Sequence, residues 1–167
     1  MALIINSDAA MRQLGRRLAA LLRPADLIVL SGGLGAGKTT LTQGIGAGLG
    51  VEGPVVSPTF VIARVHGGGR LPLVHVDAYR LGGLAEVDDL DLDAALEESV
   101  TVVEWGAGLV EGLSDSRLVV TIERDIADPD EQQPSLSAGA ERRLVTVEGV
   151  GARWAGIEAA LEESSGG

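Results

Sequence analysis

The 167-residue chain has no cysteine. Disulfides and thiolate metal sites are therefore excluded. Two histidines, His66 and His75, are too few for a His-rich zinc site. Aromatic residues make up 2% of the chain, so the core has to come from Leu, Val, Ile and Ala, which the 46% hydrophobic content supplies. Basic residues are outnumbered: 13 Lys and Arg against 24 Asp and Glu give a net charge of −11. Nucleic-acid phosphates repel a chain of that sign, which argues against nonspecific DNA or RNA binding through a broad basic face. One loop can still hold a phosphate, because the sum of charges does not set the field at a single point. No run approaches the roughly 18 uninterrupted apolar residues of a membrane span, and the opening "MALIINSDAA" lacks the basic start and long apolar stretch of a signal peptide. The expectation is a soluble cytoplasmic protein with one domain over residues 1–167.

The scarcest charged residue is lysine. Lys38 is the only one, and every other Lys/Arg position is an arginine. It sits in "SGGLGAGKTT", residues 31–40, among four glycines. Gly32-x-x-x-x-Gly37-Lys38-Thr39 fits the phosphate-loop pattern G-x-x-x-x-G-K-[ST]. The chemistry needs each part. Glycines let the backbone turn its N–H groups inward around an anion. The helix that follows presents its partial positive end to the same anion. Lys38 adds a full charge for the outer phosphates, and the Thr39 hydroxyl is a Mg²⁺ ligand. The context agrees, with "DLIVLSGG" reading as a buried strand before the loop and Leu41, Ile45 and Leu49 recurring at helical spacing after it. The plainer alternative, a tight strand–turn–helix, does not call for a lysine inside a glycine cage. Guanine recognition through an Asn-Lys-x-Asp segment needs a second lysine, which is absent, so ATP is favoured by elimination.

The remaining pattern predicts an α/β protein, a P-loop NTPase-like three-layer sandwich whose sheet is mostly parallel in its centre with an antiparallel hairpin. Residues 2–5 read as a strand. Ser7 or Asp8 caps a helix carrying Met11, Leu14, Leu18, Leu21 and Leu22, and Pro24 stops it. Gly44, Gly46 and Gly48 are odd inside the second helix, where each costs roughly 1 kcal/mol relative to Ala, and close helix–sheet packing would explain them. The hairpin is expected from residues 60–66 and 71–79 around "GGGR". An acidic helix over about 84–98, strands at "VTVVEW", 117–124 and 142–148, a mobile loop about 125–140, a last helix marked by Trp154, Ile157 and Leu161, and a frayed tail at 164–167 complete the reading.

A phosphate loop needs a carboxylate at the end of a neighbouring strand to hold Mg²⁺ and orient the attacking water. Asp77 in "LVHVDAYRL" and Glu104 in "VTVVEWG" both follow apolar runs, where a charge is costly unless paired or metal-bound. Each could instead emerge at a strand end and meet water or an arginine, such as Arg80 for Asp77. His75 shares a strand face with Asp77 and reads as a packing residue. Trp105 reads equally as core or as a flat surface against a nucleotide base. "VSPTF", residues 56–60, reads as an ordinary Ser-Pro turn or as a loop sensing a terminal phosphate.

"GGLGAGKTT", "SPTF", "HVDAYRL" and "VVEWG", in this order and rough spacing, resemble the TsaE family, also called YjeE. The likeness covers about residues 3–124. It implies a bacterial ATPase of the machinery that makes threonylcarbamoyladenosine in tRNA, working on a complex of TsaB and TsaD and meeting tRNA only through that complex. Carried over by motif, Lys38 and the amides of Gly33, Leu34, Gly35, Ala36, Gly37, Thr39 and Thr40 hold the phosphates of ATP. Thr39 and Glu104 ligate Mg²⁺, Asp77 assists hydrolysis, Thr59 is the switch position, and Trp105 lies close to the nucleotide. Gly33 departs from the family's usual acid at that position. A small-molecule kinase using the same loop, and a module that holds ATP without turning it over, are the competing readings. No clustered arginine lid is visible for the kinase.

Overall fold

The computed structural model describes residues 1–56, 63–78, 96–105, 114–124 and 142–163. Among them, strands β1 (Ala2–Ile5), β2 (Leu27–Gly32), β3 (Ala63–His66), β4 (Leu73–Asp77), β5 (Val100–Glu104), β6 (Arg117–Arg124) and β7 (Arg143–Val150) form one sheet, in the order β1-β7-β6-β2-β5-β4-β3. The central strands β6, β2, β5 and β4 run parallel. The hairpin β3–β4 is antiparallel, as expected. The other edge, β6–β7–β1, is antiparallel as well. The single antiparallel hairpin expected from sequence is thus matched by a second antiparallel flank. Its pairing joins the first strand of the chain to the last, a contact that no local pattern announces.

Helix α1 (Asp8–Leu21) begins where expected, with Ser7 as its N-cap accepting from the Ala10 amide at 3.1 Å. Its face of Met11, Leu14 and Leu18 is buried on the sheet, each large side chain contributing about 1.5–3 kcal/mol of burial. Its last carbonyls are covered by Arg70, which donates to Ala19 O at 2.7 Å and Leu22 O at 3.2 Å. Helix α2 (Lys38–Leu49) follows the loop and ends at Gly50.

The glycines of α2 have a different explanation from the one expected. Gly44 faces α1, not the sheet: a Cβ there would lie 2.3 Å from the Arg12 carbonyl oxygen. Gly15 of α1 is the reciprocal position, 2.5 Å from the Leu41 carbonyl oxygen. The two helices cross backbone to backbone, and only Gly46 looks toward Val51, Val55 and Leu73. That crossing fixes the start of α2 against the start of α1.

Side chains of β2, β4, β5, β6 and β7 alternate between two faces. Ile28, Leu30, Leu73, Val100, Val102, Leu118, Val120, Ile122, Val145 and Val147 share the core with α1 and α2. Val29, Val74, Val76 and Val103 on the opposite face are buried too, which fits central strands covered on both sides. The helix expected at 84–98 is described only at residues 96–98, which are helical. Residues 57–62, with Thr59, and the segment expected as a loop at 125–140 lie outside the described residues, as does the tail 164–167. The expected last helix is broken into a 3₁₀ turn (Ala152–Trp154) and α3 (Ile157–Glu163). Gly156 at φ 80° separates them, a conformation that no helix continues through. No helix among the described residues is long and apolar enough to cross a membrane.

Candidate functional site

The site lies where β2 hands over to α2. Residues 33–37 turn back through Gly35 at φ 71° and Gly37 at φ 114°, conformations that side-chain-bearing residues rarely adopt. Gly37 is the N-cap of α2 and supplies no side-chain cap, and the first turn holds no acid. Leu41 N donates to Gly37 O at 2.9 Å, so the helix ladder starts there. The amides of Lys38, Thr39 and Thr40 then have no intrahelical acceptor. Leu34 stands at the tip, 92% exposed, and Gly33 and Gly35 are exposed with it, while Ala36 is buried.

Lys38 is 6% exposed. Its Nζ donates to Gly32 O at 2.8 Å and Gly33 O at 2.9 Å. It also sits 4.1 Å from the centroid of the Trp105 ring, a cation–π contact. Burial pushes the ammonium below lysine's usual range, and the Glu104 and Asp77 carboxylates act against that fall. The only lysine of the chain is therefore a desolvated charge, held by loop carbonyls and an aromatic face.

Asp77 and Glu104 are the last residues of β4 and β5 and pair directly in the parallel register. Glu104 also pairs with Leu30, two residues before the end of β2. Both carboxylates consequently stand at the carboxyl edge of the sheet, on the face that carries α2, at 7% and 4% exposure. Their placement at strand ends beside the loop matches the sequence reading. Neither is a solvated strand end. His75, two residues before Asp77 on the same face, is fully buried, and its Nε2–H donates to Glu104 Oε1 at 2.8 Å. Sequence treated His75 as packing; the structure makes it the group that orients Glu104.

Trp105 follows Glu104 with φ 60°, a left-handed conformation unusual for a bulky residue. Its amide donates to Leu30 O at 3.0 Å, which ties the end of β5 to the strand that leads into the loop. Backbone strain of this kind concentrates at functional sites. Among the described residues no three His, Asp or Glu side chains converge as a metal cage. Mg²⁺ needs none, because it takes one or two carboxylates together with phosphate oxygens and water. Thr39 and Thr40 are half-buried in the first turn of α2. Thr59 lies outside the described residues.

Two arginines for which the sequence suggests no role at this loop lie beside it. Gly32 pairs with Ile122 in the parallel β2–β6 register, so Arg124, two residues on, stands beside the loop. Its Nη2 donates to Gly35 O at 3.0 Å. Arg143 opens β7 directly opposite Arg124, is buried, and donates to Asp8 Oδ1 of α1 at 2.7 Å. A Cβ at Gly37 would meet its side chain at 3.6 Å. The carboxyl edge of the sheet thus carries acids on one side of the loop and guanidiniums on the other. No sequence motif links Arg124 to Gly35; the parallel β2–β6 register does.

The comparisons bear on the family and the fold. The family model described as "Threonylcarbamoyl adenosine biosynthesis protein TsaE" matches residues 5–133. The chain is 61% identical over 148 residues to the tRNA threonylcarbamoyladenosine biosynthesis protein TsaE of Streptomyces coelicolor, covering 87% of this chain and 94% of that one. It is 39% identical over 132 residues to the protein of the same name from Bacillus subtilis, covering 78% and 81%. The crystal structure of Bacillus subtilis YdiB superimposes with a TM-score of 0.76 at 30% identity, over 99% of this chain and 95% of that one. The chain belongs to the TsaE family, whose work is the biosynthesis of threonylcarbamoyladenosine in tRNA.

Proposed function

We propose that the protein is a Mg²⁺-dependent ATPase, slow on its own, that serves threonylcarbamoyladenosine synthesis by acting on a TsaB–TsaD complex. The observation that carries this reading is the start of α2: an uncapped helix end with a buried lysine in its first turn, flanked by two register-paired carboxylates. A buried ammonium beside free amides suits a polyphosphate, and the acids beside it suit the metal that accompanies one.

Each residue has a role in this reading. The amides of residues 33–40 and Lys38 hold the phosphates. Thr39 and Glu104 hold Mg²⁺, which when bound neutralises charge on the phosphoryl oxygens. His75 orients Glu104 through the 2.8 Å contact. Asp77 stands beside Glu104 and positions water for attack. Trp105 lies where a nucleotide reaches the lysine it now contacts. Transfer of the phosphoryl group to water rather than to a small acceptor separates the ATPase from a kinase, and release of inorganic phosphate is the readout.

Calorimetry with MgATP should show one site, and Lys38→Ala should abolish it. Phosphate should be released without any added acceptor, and Glu104→Ala should stop the release. Purified TsaB–TsaD should retain the protein in an ATP-dependent manner, and tRNA from depleted cells should lose threonylcarbamoyladenosine by mass spectrometry. Absence of any heat with MgATP would end the ATPase reading; retention unaffected by ATP would end the proposed coupling to the complex.

A further inference from the structure

We infer that Arg124 is a positioning residue for the phosphate loop, acting by fixing the orientation of the peptide between Gly35 and Ala36. Gly35 at φ 71° has no side chain to bias its peptide, and glycine crosses between backbone regions at little cost. Something must hold that peptide in one orientation if the loop is to present a fixed set of donors. The Arg124 Nη2 donates to Gly35 O at 3.0 Å. The C=O and N–H of a trans peptide point in opposite directions. Holding Gly35 O toward β6 therefore turns the Ala36 N–H toward the interior of the loop, where it donates to Gly33 O at 3.1 Å. Gly33 O is one of the two carbonyls that also receive the Lys38 ammonium. Arg124, the Gly35–Ala36 peptide, Gly33 and Lys38 form one hydrogen-bonded chain.

The fit of guanidinium to glycine is close: a Cβ at Gly35 would stand 2.7 Å from Arg124 Nη2. Arg143, its register partner, donates to Asp8 and so braces α1 against β7.

The test has one arm that needs no nucleotide and one that does; only the second rests on the ATP reading above. In the nucleotide-free protein, Arg124→Ala should shift the Ala36 amide resonance and raise its hydrogen exchange, with the thermal midpoint within about 3 °C of the parent. Arg124→Lys, which keeps a donor and a charge, should restore most of the Ala36 signal. With MgADP, Arg124→Ala should bind about fivefold more weakly, the scale of an exposed charge-assisted hydrogen bond. That loss should persist when salt is raised to about 1 M, where the screening length is only about 3 Å. An Ala36 amide unmoved by Arg124→Ala overturns the inference, and so does an affinity loss that vanishes at high salt, since the guanidinium would then act only as a distant charge. If the parent protein bound no MgADP, the nucleotide reading would fall, and the Ala36 amide would still decide the peptide lock.

Discussion

The two long helices start only a crossing apart and satisfy their N-termini in opposite ways. α1 begins on Ser7, in extended conformation, whose side chain takes the Ala10 amide, and Asp8 places an acid in the first turn. α2 begins on Gly37 in the left-handed region, with no side-chain cap, no acid, and a lysine at the first helical position. A helix N-terminus demands acceptors for its free amides and favours negative charge. α1 meets that demand from its own chain. α2 leaves it unmet by side chains and adds a positive charge to it. The difference separates a helix end that stabilises the fold from one that, in the proposed reading, is kept for an anion.

Exchanging the roles of the two ends gives the largest expected effect. Lys38→Ala should lower phosphate release by at least about a hundredfold, the scale seen when one donor to a developing oxyanion is removed. Its stability should change by less than about 1 kcal/mol, because the relief of desolvation offsets the loss of the two carbonyl hydrogen bonds. Phosphate release near the parent rate would show that the α2 end is not the anion site. Next comes the crossing that holds the two ends together. In an isolated helix Gly44→Ala gains about 1 kcal/mol. Here the new Cβ meets Arg12 backbone at 2.3 Å and 2.8 Å, and backbone has no rotamer by which to yield. Overpacking costs about 1–3 kcal/mol, so a net loss of up to about 2 kcal/mol in denaturant titration is expected. A stabilised Gly44→Ala protein would mean the helices separate freely.

Ser7→Ala should be smaller and should act on the other quantity. It removes one cap, about 1 kcal/mol of stability by thermal melting, and leaves nucleotide affinity unchanged. The crossed pattern is the point: activity lost without stability at one end, stability lost without activity at the other. An affinity change in Ser7→Ala would show that the cap of α1 transmits to the loop, and the Asp8–Arg143 contact offers a route.

What was legible from sequence follows the range of each interaction. The Ser7 cap, the glycine–lysine loop and the strand runs that end in Asp77 and Glu104 are local, with partners within a few residues or a periodicity that one strand shows. The parallel centre of the sheet follows from alternating strands and helices. The second antiparallel flank did not, because β1 and β7 are joined only through the register of Ile5 with Arg143 and its neighbours. Arg124 was missed for the same reason: nothing in residues 33–37 specifies a partner 89 positions away. A lone histidine in an apolar strand reads as packing, and the contact that gives His75 a role comes from β5. The glycines of α2 were seen as anomalous, but their partner, α1, could be assigned only once the helices were placed. Thr59 and most of the segment expected as an acidic helix, 84–98, lie outside the described residues.

The smallest effect concerns the pH dependence of stability, and it sharpens the same contrast. Lys38 gives up its proton more readily in the fold than an exposed lysine does, with burial the main cause and Glu104 and Asp77 opposing it. Between its folded pKa and the ordinary value of 10.5, the unfolded chain binds more protons at this position than the folded one. Stability contributed by this residue therefore rises with pH through that window. Below the folded pKa the cost of the buried charge is fully present. The difference in unfolding free energy between the parent and Lys38→Met should move in favour of the parent as pH is raised from neutral toward 10.5. A difference that stays flat would mean that Glu104 and Asp77 fully offset the burial. A bound polyphosphate changes the sign of the argument, since an anion beside the ammonium favours its charged form. With MgATP present the lysine should keep its proton to higher pH, and the parent should gain stability over Lys38→Met across the neutral range. The residue whose buried charge opposes folding alone is thus the one expected to favour the fold when an anion is bound, whereas Ser7 should contribute equally in both states.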